Sequence, residues 1–150
     1  MLTELLTDKT IQITDKKLDW EEAIELTAQP LLKEKAIEDK YITAMIGKVK
    51  EFGAFINVGD RVALPHARPE DGVNKVGISL LKTNETVYLL DKKHHPIKLF
   101  ICLAATDNKA HLEALADLTK LLIKKDSLNA LLKAETKQEI LDVIKEGESK

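Results

Sequence analysis

The sequence predicts an α/β fold: a single layered domain in which a mixed parallel and antiparallel β-sheet is flanked by helices on both sides. Three observations predict it. Helical and strand-like patterns alternate loosely from Leu18 to Ala105, and everything after Asp107 is helical. The run Leu99-Phe100-Ile101-Cys102-Leu103-Ala104-Ala105 is apolar throughout, as a central buried strand should be.

Taken in order, Asp19 stands where a helix N-cap belongs, with Glu21 and Glu22 in the first turn behind it, and the helix reaches about Lys33 with Pro30 as a kink or break near its end. A second helix spans roughly Glu38 to Phe52, with Tyr41, Ala44, Met45, Lys48 and Val49 at helical spacing and Gly53 at the C-terminal cap. Ala54 to Val58 reads as a strand. After a turn at Gly59-Asp60 comes a short apolar segment, Arg61 to Leu64, which runs into the loop Pro65-His66-Ala67-Arg68-Pro69-Glu70-Asp71-Gly72. Val76 to Leu81 is a strand, Val87 to Leu89 a separate short one, and Lys98 to Ala105 the central one. From Asp107, a further N-cap, Leu112, Leu115, Ala116, Leu118, Thr119, Leu122 and Ile123 make one apolar stripe, and two shorter helices at about Asp126–Lys133 and Thr136–Glu146 complete the chain.

Composition narrows the function. A chain of 150 residues, 44% hydrophobic and 32% charged, is an ordinary one-domain length and balance, so residues 1–150 are expected to form one domain, without repeats or low-complexity tracts. The 23 basic and 25 acidic residues give a net charge of −2, which offers no basic field for a phosphate backbone and argues against nucleic acid as a partner. The single cysteine, Cys102, lies in the apolar run and fits a reduced compartment. No apolar stretch approaches the roughly 20 residues of a membrane helix, and the start of the chain lacks a signal-peptide n-region, so a cytoplasmic location is expected.

His66 is the first candidate for chemistry. It follows a buried-type strand, Pro65 restricts the backbone before it, and a neutral imidazole held in this way is a good nucleophile toward phosphorus. Arg68 could meet phosphoryl oxygens with its fork of donors if it folds back across the loop. His111 falls in the first turn of the helix capped by Asp107, where free N–H groups and the positive dipole end favour anions. The bland alternative for either histidine is an inert surface residue. His94 and His95 form an adjacent pair, but strand neighbours point to opposite faces and no cluster completes a metal site, so a polar hairpin loop is the better reading and no metal is expected. Glu21-Glu22, Glu38-Asp39 and Glu70-Asp71 read as helix-start and loop charges. Gly72 and Gly77 belong to no phosphate-cradling pattern, so no nucleotide or other cofactor is implied.

Several stretches together resemble one known family, the enzyme IIA domains of the bacterial phosphoenolpyruvate-dependent sugar phosphotransferase system, of the mannitol/fructose type. They are Tyr41-Ile42-x-x-Met45, Phe52-Gly53-Ala54-Phe55-Ile56, Ala63-Leu64-Pro65-His66-Ala67-Arg68, Gly72-Val73-x-Lys75-x-Gly77 and His111-Leu112-x-x-Leu115, and the resemblance runs from about Leu5 to Ile144. It implies that His66 matches the phosphorylated histidine and His111 the second active-site histidine, with Arg68 adjacent to the motif. It implies phosphoryl transfer from the phosphocarrier protein HPr to an enzyme IIB, with the membrane enzyme IIC reached only through the complex. It implies phosphorylation at Nε2 and a shallow, partly apolar partner surface to which Ala63, Leu64 and Ala67 are suited. The segment from Ala63 to Val73 looks most like the ascorbate-specific branch. The same domain type also resembles regulatory modules whose phosphorylation state selects a protein partner, which is the alternative reading. Oligomeric state is left open, a homodimer included.

Overall fold

The computed structural model describes residues 2–148. In chain order the elements are α1 (Leu2–Leu5), β1 (Ile11–Thr14), α2 (Trp20–Lys33), α3 (Asp39–Phe52), β2 (Asn57–Gly59), β3 (Val62–Ala63), β4 (Gly77–Tyr88), β5 (Pro96–Ala104), α4 (Asn108–Leu122), α5 (Lys125–Lys133) and α6 (Lys137–Glu148). The strands form one five-stranded sheet in the order β1-β4-β5-β3-β2. The pairs β1–β4 and β3–β5 are parallel, whereas β4–β5 and β2–β3 are antiparallel. This is the mixed, helix-flanked sheet that the pattern predicts.

β5 is the centre. Phe100, Cys102 and Ala104 face a cluster that includes Ile24, Leu31, Tyr41 and Met45 from α2 and α3, while Leu99, Ile101 and Leu103 face a second cluster that includes Ala114, Leu118, Leu131, Ile140 and Ile144 from α4, α5 and α6. A strand covered on both faces must be apolar at every position, which explains the uninterrupted run in the sequence. Burial pushes the Cys102 thiol up to about 12, so it packs as a small apolar side chain and is no thiolate at neutral pH.

Asp19 caps α2 as expected: its carboxylate accepts from the Glu22 N–H while the Glu22 side chain accepts from the Asp19 N–H. Pro30 does not break this helix, which runs on to Lys33. Proline has no N–H to give to the carbonyl four residues back, Leu26 O, and Gln12 Nε2 on β1 donates to that oxygen instead, at 2.7 Å. The missing helical bond thus becomes a link between α2 and the sheet.

Four expectations need correction. The stretch from Ala54 to Ile56 is a turn, closed by the Asn57 N–H donating to Ala54 O, and the strand begins only at Asn57. The two segments around Val76–Leu81 and Val87–Leu89 merge into the single strand β4, whose pairing with β5 lapses between Lys82 and Val87. β1 was not anticipated; its four residues are too few and too polar to show a period. The α4 stripe is rotated: Ala114, Leu118 and Leu121 are buried, whereas Leu112 is 65% and Ile123 72% exposed. Ala114 is fully buried in the cluster with Leu118 and Leu121, and a stripe chosen by side-chain hydrophobicity favours the leucine over the alanine.

The rotation is testable. Leu118→Ala should cost about 2–5 kcal/mol in chemical denaturation, as a buried large-to-small change does. Leu112→Ala should stay within about 0.5 kcal/mol of wild type. Equal costs would restore the stripe read from the sequence.

Candidate active site

The site is built at the carboxyl ends of β3 and β5. The two strands are parallel, with Val62 opposite Leu99 and Ala63 opposite Phe100, so the segments leaving them emerge side by side. One carries His66; the other leads through Asp107 into α4 and His111. The imidazole rings lie 5.6 Å apart between centroids, tilted by 48°. Residues far apart in sequence thus line one open cavity of about 310 Å³, to which Lys48, Phe52, Phe55, Arg68 and Asn108 also contribute.

His66 is half-buried, and the residues on either side of it, Pro65 and Ala67, are buried; the loop is less exposed than its prolines and charges suggest. Its Nδ1 lies 2.7 Å from Leu64 O. A carbonyl oxygen can only accept, so in the neutral ring Nδ1 carries the proton and Nε2 the lone pair. The Phe55 ring meets the His66 ring edge to face at 5.7 Å.

The backbone on both sides of His66 is anchored. The Leu103 N–H donates to Pro65 O at 3.1 Å, the Ala67 N–H donates to the Tyr41 hydroxyl at 2.9 Å, and that hydroxyl donates to Leu103 O at 2.7 Å. Farther along, the Glu38 N–H donates to Gly72 O at 2.9 Å. Gly72, at φ +133°, sits so close to α3 that an added Cβ would come within 3.2 Å of the Tyr41 nitrogen. The loop therefore rests on the first turn of α3.

His111 stands one turn into α4, behind the cap in which Asp107 accepts from the Ala110 N–H at 2.8 Å. Burial, and after it the neighbouring His66, hold His111 below the ordinary histidine value. It is therefore neutral at pH 7 and available as a hydrogen-bonding group. The N-terminal end of α4 adds its dipole to the same cavity, which favours a bound anion.

Arg68 lines the cavity but is two-thirds exposed, and its Nε lies 3.4 Å from Glu70 and 3.7 Å from Asp71. Lys48 was not singled out from the sequence. Its ammonium lies 5.9 Å from the centre of the Phe52 ring, with no carboxylate in ion-pair range among the described residues. Its spacing four residues before Phe52, on the edge of the α3 stripe, was the available signal. Of the small apolar residues expected at the partner surface, Ala67 lines the cavity, whereas Ala63 and Leu64 are buried and do not reach it; the exposed apolar side chains that line it are Phe52 and Phe55.

His94 and His95 are away from this cavity. They lie in a turn, not on a strand, so their rings do not point to opposite faces but approach to 4.4 Å, and His95 Nδ1 meets Asn57 Oδ1 at 2.8 Å, tying the turn to β2. No group of three or more metal-ligating side chains occurs among the described residues, and no helix among them is long and apolar enough to cross a membrane.

The fold and site, a helix-flanked mixed sheet with a half-buried histidine pair in an open cavity, coincide with a sequence match to the phosphotransferase components of sugar uptake systems. The chain belongs to the EIIA 2 family of the phosphoenolpyruvate-dependent sugar phosphotransferase system, whose model matches residues 4–147. It is 34% identical to the mannitol-specific cryptic phosphotransferase enzyme IIA component of Escherichia coli over 146 residues, 97% of this chain and 99% of that one. It is 28% identical to the ascorbate-specific EIIA component of the same species over 141 residues, 93% of this chain and 92% of that one. Among solved structures it resembles the Escherichia coli mannitol enzyme IIA in complex with phosphorylated enzyme IIB, with a TM-score of 0.81, 25% identity and coverage of 95% of this chain and 99% of that one.

The electrostatics predict a titration. Nitrogen-15 NMR should place the His111 midpoint below about 6.5, and His66→Ala, which removes one of the two causes, should move it up. The folded state then binds fewer protons at His111 than the unfolded chain, so this contribution to stability is complete above about pH 6.5 and is lost as pH falls below it. A midpoint at or above 6.5 in the wild type would contradict the account.

Proposed function

We propose that this cytoplasmic phosphocarrier accepts the phosphoryl group of phospho-HPr on Nε2 of His66 and passes it to an enzyme IIB. The observation that supports this most directly is the Leu64 carbonyl on His66 Nδ1. It leaves Nε2 as the nucleophile, so that the phosphorus–nitrogen bond forms there while the bond to the donor imidazole of HPr breaks. Loss of the group to enzyme IIB reverses the exchange on a new acceptor.

The surroundings suit each step. His111, neutral and close by, donates a hydrogen bond to the phosphoryl oxygens, and the α4 N-terminus adds its field. Lys48 supplies the less encumbered cation, because the Arg68 guanidinium is shared with Glu70 and Asp71. The exposed Phe52 and Phe55 at the cavity are the apolar part of the docking surface for both partners in turn. The sugar is decided downstream, since an enzyme IIA of this kind need not touch it. Ascorbate is favoured by the Ala63 to Val73 segment and mannitol by the higher overall identity, and both are put to the test below.

Intact-mass analysis after incubation with phosphoenolpyruvate, enzyme I and HPr should show one added phosphate on the wild type and none on His66→Ala, which should remain folded. Discharge by an ascorbate-type or a mannitol-type enzyme IIB then reports the branch. A phosphorylated His66→Ala would refute the assignment, and a stable phospho-form discharged by neither enzyme IIB would favour the regulatory module. In the same assay Lys48→Met should slow acceptance more than Arg68→Met; the reverse order would return the role to Arg68.

A further inference from the structure

We infer that Tyr41 is a positioning residue for phosphoryl transfer: its buried hydroxyl closes a ring of hydrogen bonds that holds the backbone on both sides of His66 and thereby keeps Nε2 in its reactive placement. The inference rests on the reading of His66 as the carrier and extends it to a residue that touches neither partner nor phosphate.

The ring runs through few atoms. Pro65 O accepts from the Leu103 N–H at 3.1 Å, Leu103 O accepts from the Tyr41 hydroxyl at 2.7 Å, and the Tyr41 hydroxyl accepts from the Ala67 N–H at 2.9 Å. His66 is the one residue between the two held peptides. Tyr41 is fully buried, so none of these bonds is shared with bulk water. Desolvation raises the phenol well above its ordinary pKa, and it remains a donor throughout the physiological range. A hydroxyl has one proton to give and lone pairs to accept with, and here both functions are engaged. No other common side chain of this shape offers both.

The consequence reaches the imidazole through the backbone. The Leu64 carbonyl that fixes the His66 tautomer lies in the peptide directly before Pro65, so a shift of the held segment changes the 2.7 Å contact to Nδ1. Phenylalanine at position 41 would fill the same space while taking the acceptor from the Ala67 N–H and the donor from Leu103 O. The segment would then relax to satisfy those groups, and His66 would move with it.

The test compares wild type, Tyr41→Phe and Ile140→Ala, a cavity variant in the cluster on the opposite face of the sheet, with rates corrected to equal folded fraction. Tyr41→Phe should lower kcat for acceptance from phospho-HPr by roughly 10- to 100-fold, the scale of small misplacements of a reacting group. KM should be unchanged because the docking rim is intact. Nitrogen-15 spectra of His66 should show the single Nδ1–H form in the wild type and a mixture in Tyr41→Phe, and 4-aminophenylalanine at position 41, which restores a donor and a lone pair, should recover most of the rate. Ile140→Ala should show none of these changes. Wild-type kcat and His66 spectra in Tyr41→Phe, or the same loss in Ile140→Ala, would overturn the proposal. Should Tyr41→Phe not fold, the wild type still decides: a Tyr41 hydroxyl proton protected from exchange supports the ring, and a freely exchanging one overturns it. If the wild type takes no phosphate on His66, the carrier reading fails, while the spectra of His66 continue to test the positioning.

Discussion

The parallel pairing of β3 with β5 is the constraint on which the site depends. Only two residues of β3 take part, yet their register against Leu99 and Phe100 sets where the chain leaves the sheet. Because both strands point the same way, both of their following segments are delivered to one edge, in the crevice where open α/β sheets place their ligands. An antiparallel pairing would send His66 to the far end from His111. β5 can serve as the common reference because it is buried on both faces and cannot slip by one residue without turning Phe100 into the cluster built for Leu99 and Ile101.

Everything else at the site adds rigidity to that arrangement at successively finer scale. The strand pair brings the two histidines into the same cavity. Capping by Asp107 fixes where α4 begins, and therefore which residue stands one turn inside it. Bonds to Leu103 and Tyr41 fix the peptides around His66, and the Leu64 carbonyl fixes the tautomer. The ordering matters physically: a hydrogen bond of about 1 kcal/mol net could not assemble the crevice, but it suffices to select one rotamer and one tautomer within it. Burial supplies the large term and hydrogen bonding the selection.

Much of this was legible in the sequence, and the failures have identifiable causes. Both helix caps at Asp19 and Asp107 are local signals, carried by one side chain and the N–H groups just after it, and both were read correctly. The central strand was legible because its double-sided burial leaves no polar position. His66 and His111 were found through their local settings and a family resemblance; their 5.6 Å proximity is a product of topology that no local pattern encodes. β1 escaped because its pairing with β4 is long-range and only Ile11 of its four side chains is fully buried. The stripe of α4 was misplaced because the alanine at position 114 is on the buried face, whereas Leu112 is exposed. Lys48, Phe52 and Phe55 were in view as parts of a helix and a motif, but their membership of the site depends on where the end of α3 comes to rest.

The rim also sets how strongly this protein can hold a partner. Phe52 and Phe55 are 64% and 42% exposed, so docking against them covers only part of each side chain. Full burial of such a residue is worth about 1.5–3 kcal/mol, and partial burial of two gives about 2–3 kcal/mol in total. Association itself costs on the order of 4–15 kcal/mol in lost freedom. The apolar rim therefore steers and shields without being able to sustain a permanent complex, and the balance must come from contacts that each partner makes for itself. For a carrier this is the useful regime. Under the proposed function donor and acceptor use the same face in turn, so each must leave before the other can act, and the Phe55 ring packed edge to face against His66 is the apolar cover nearest the reacting nitrogen.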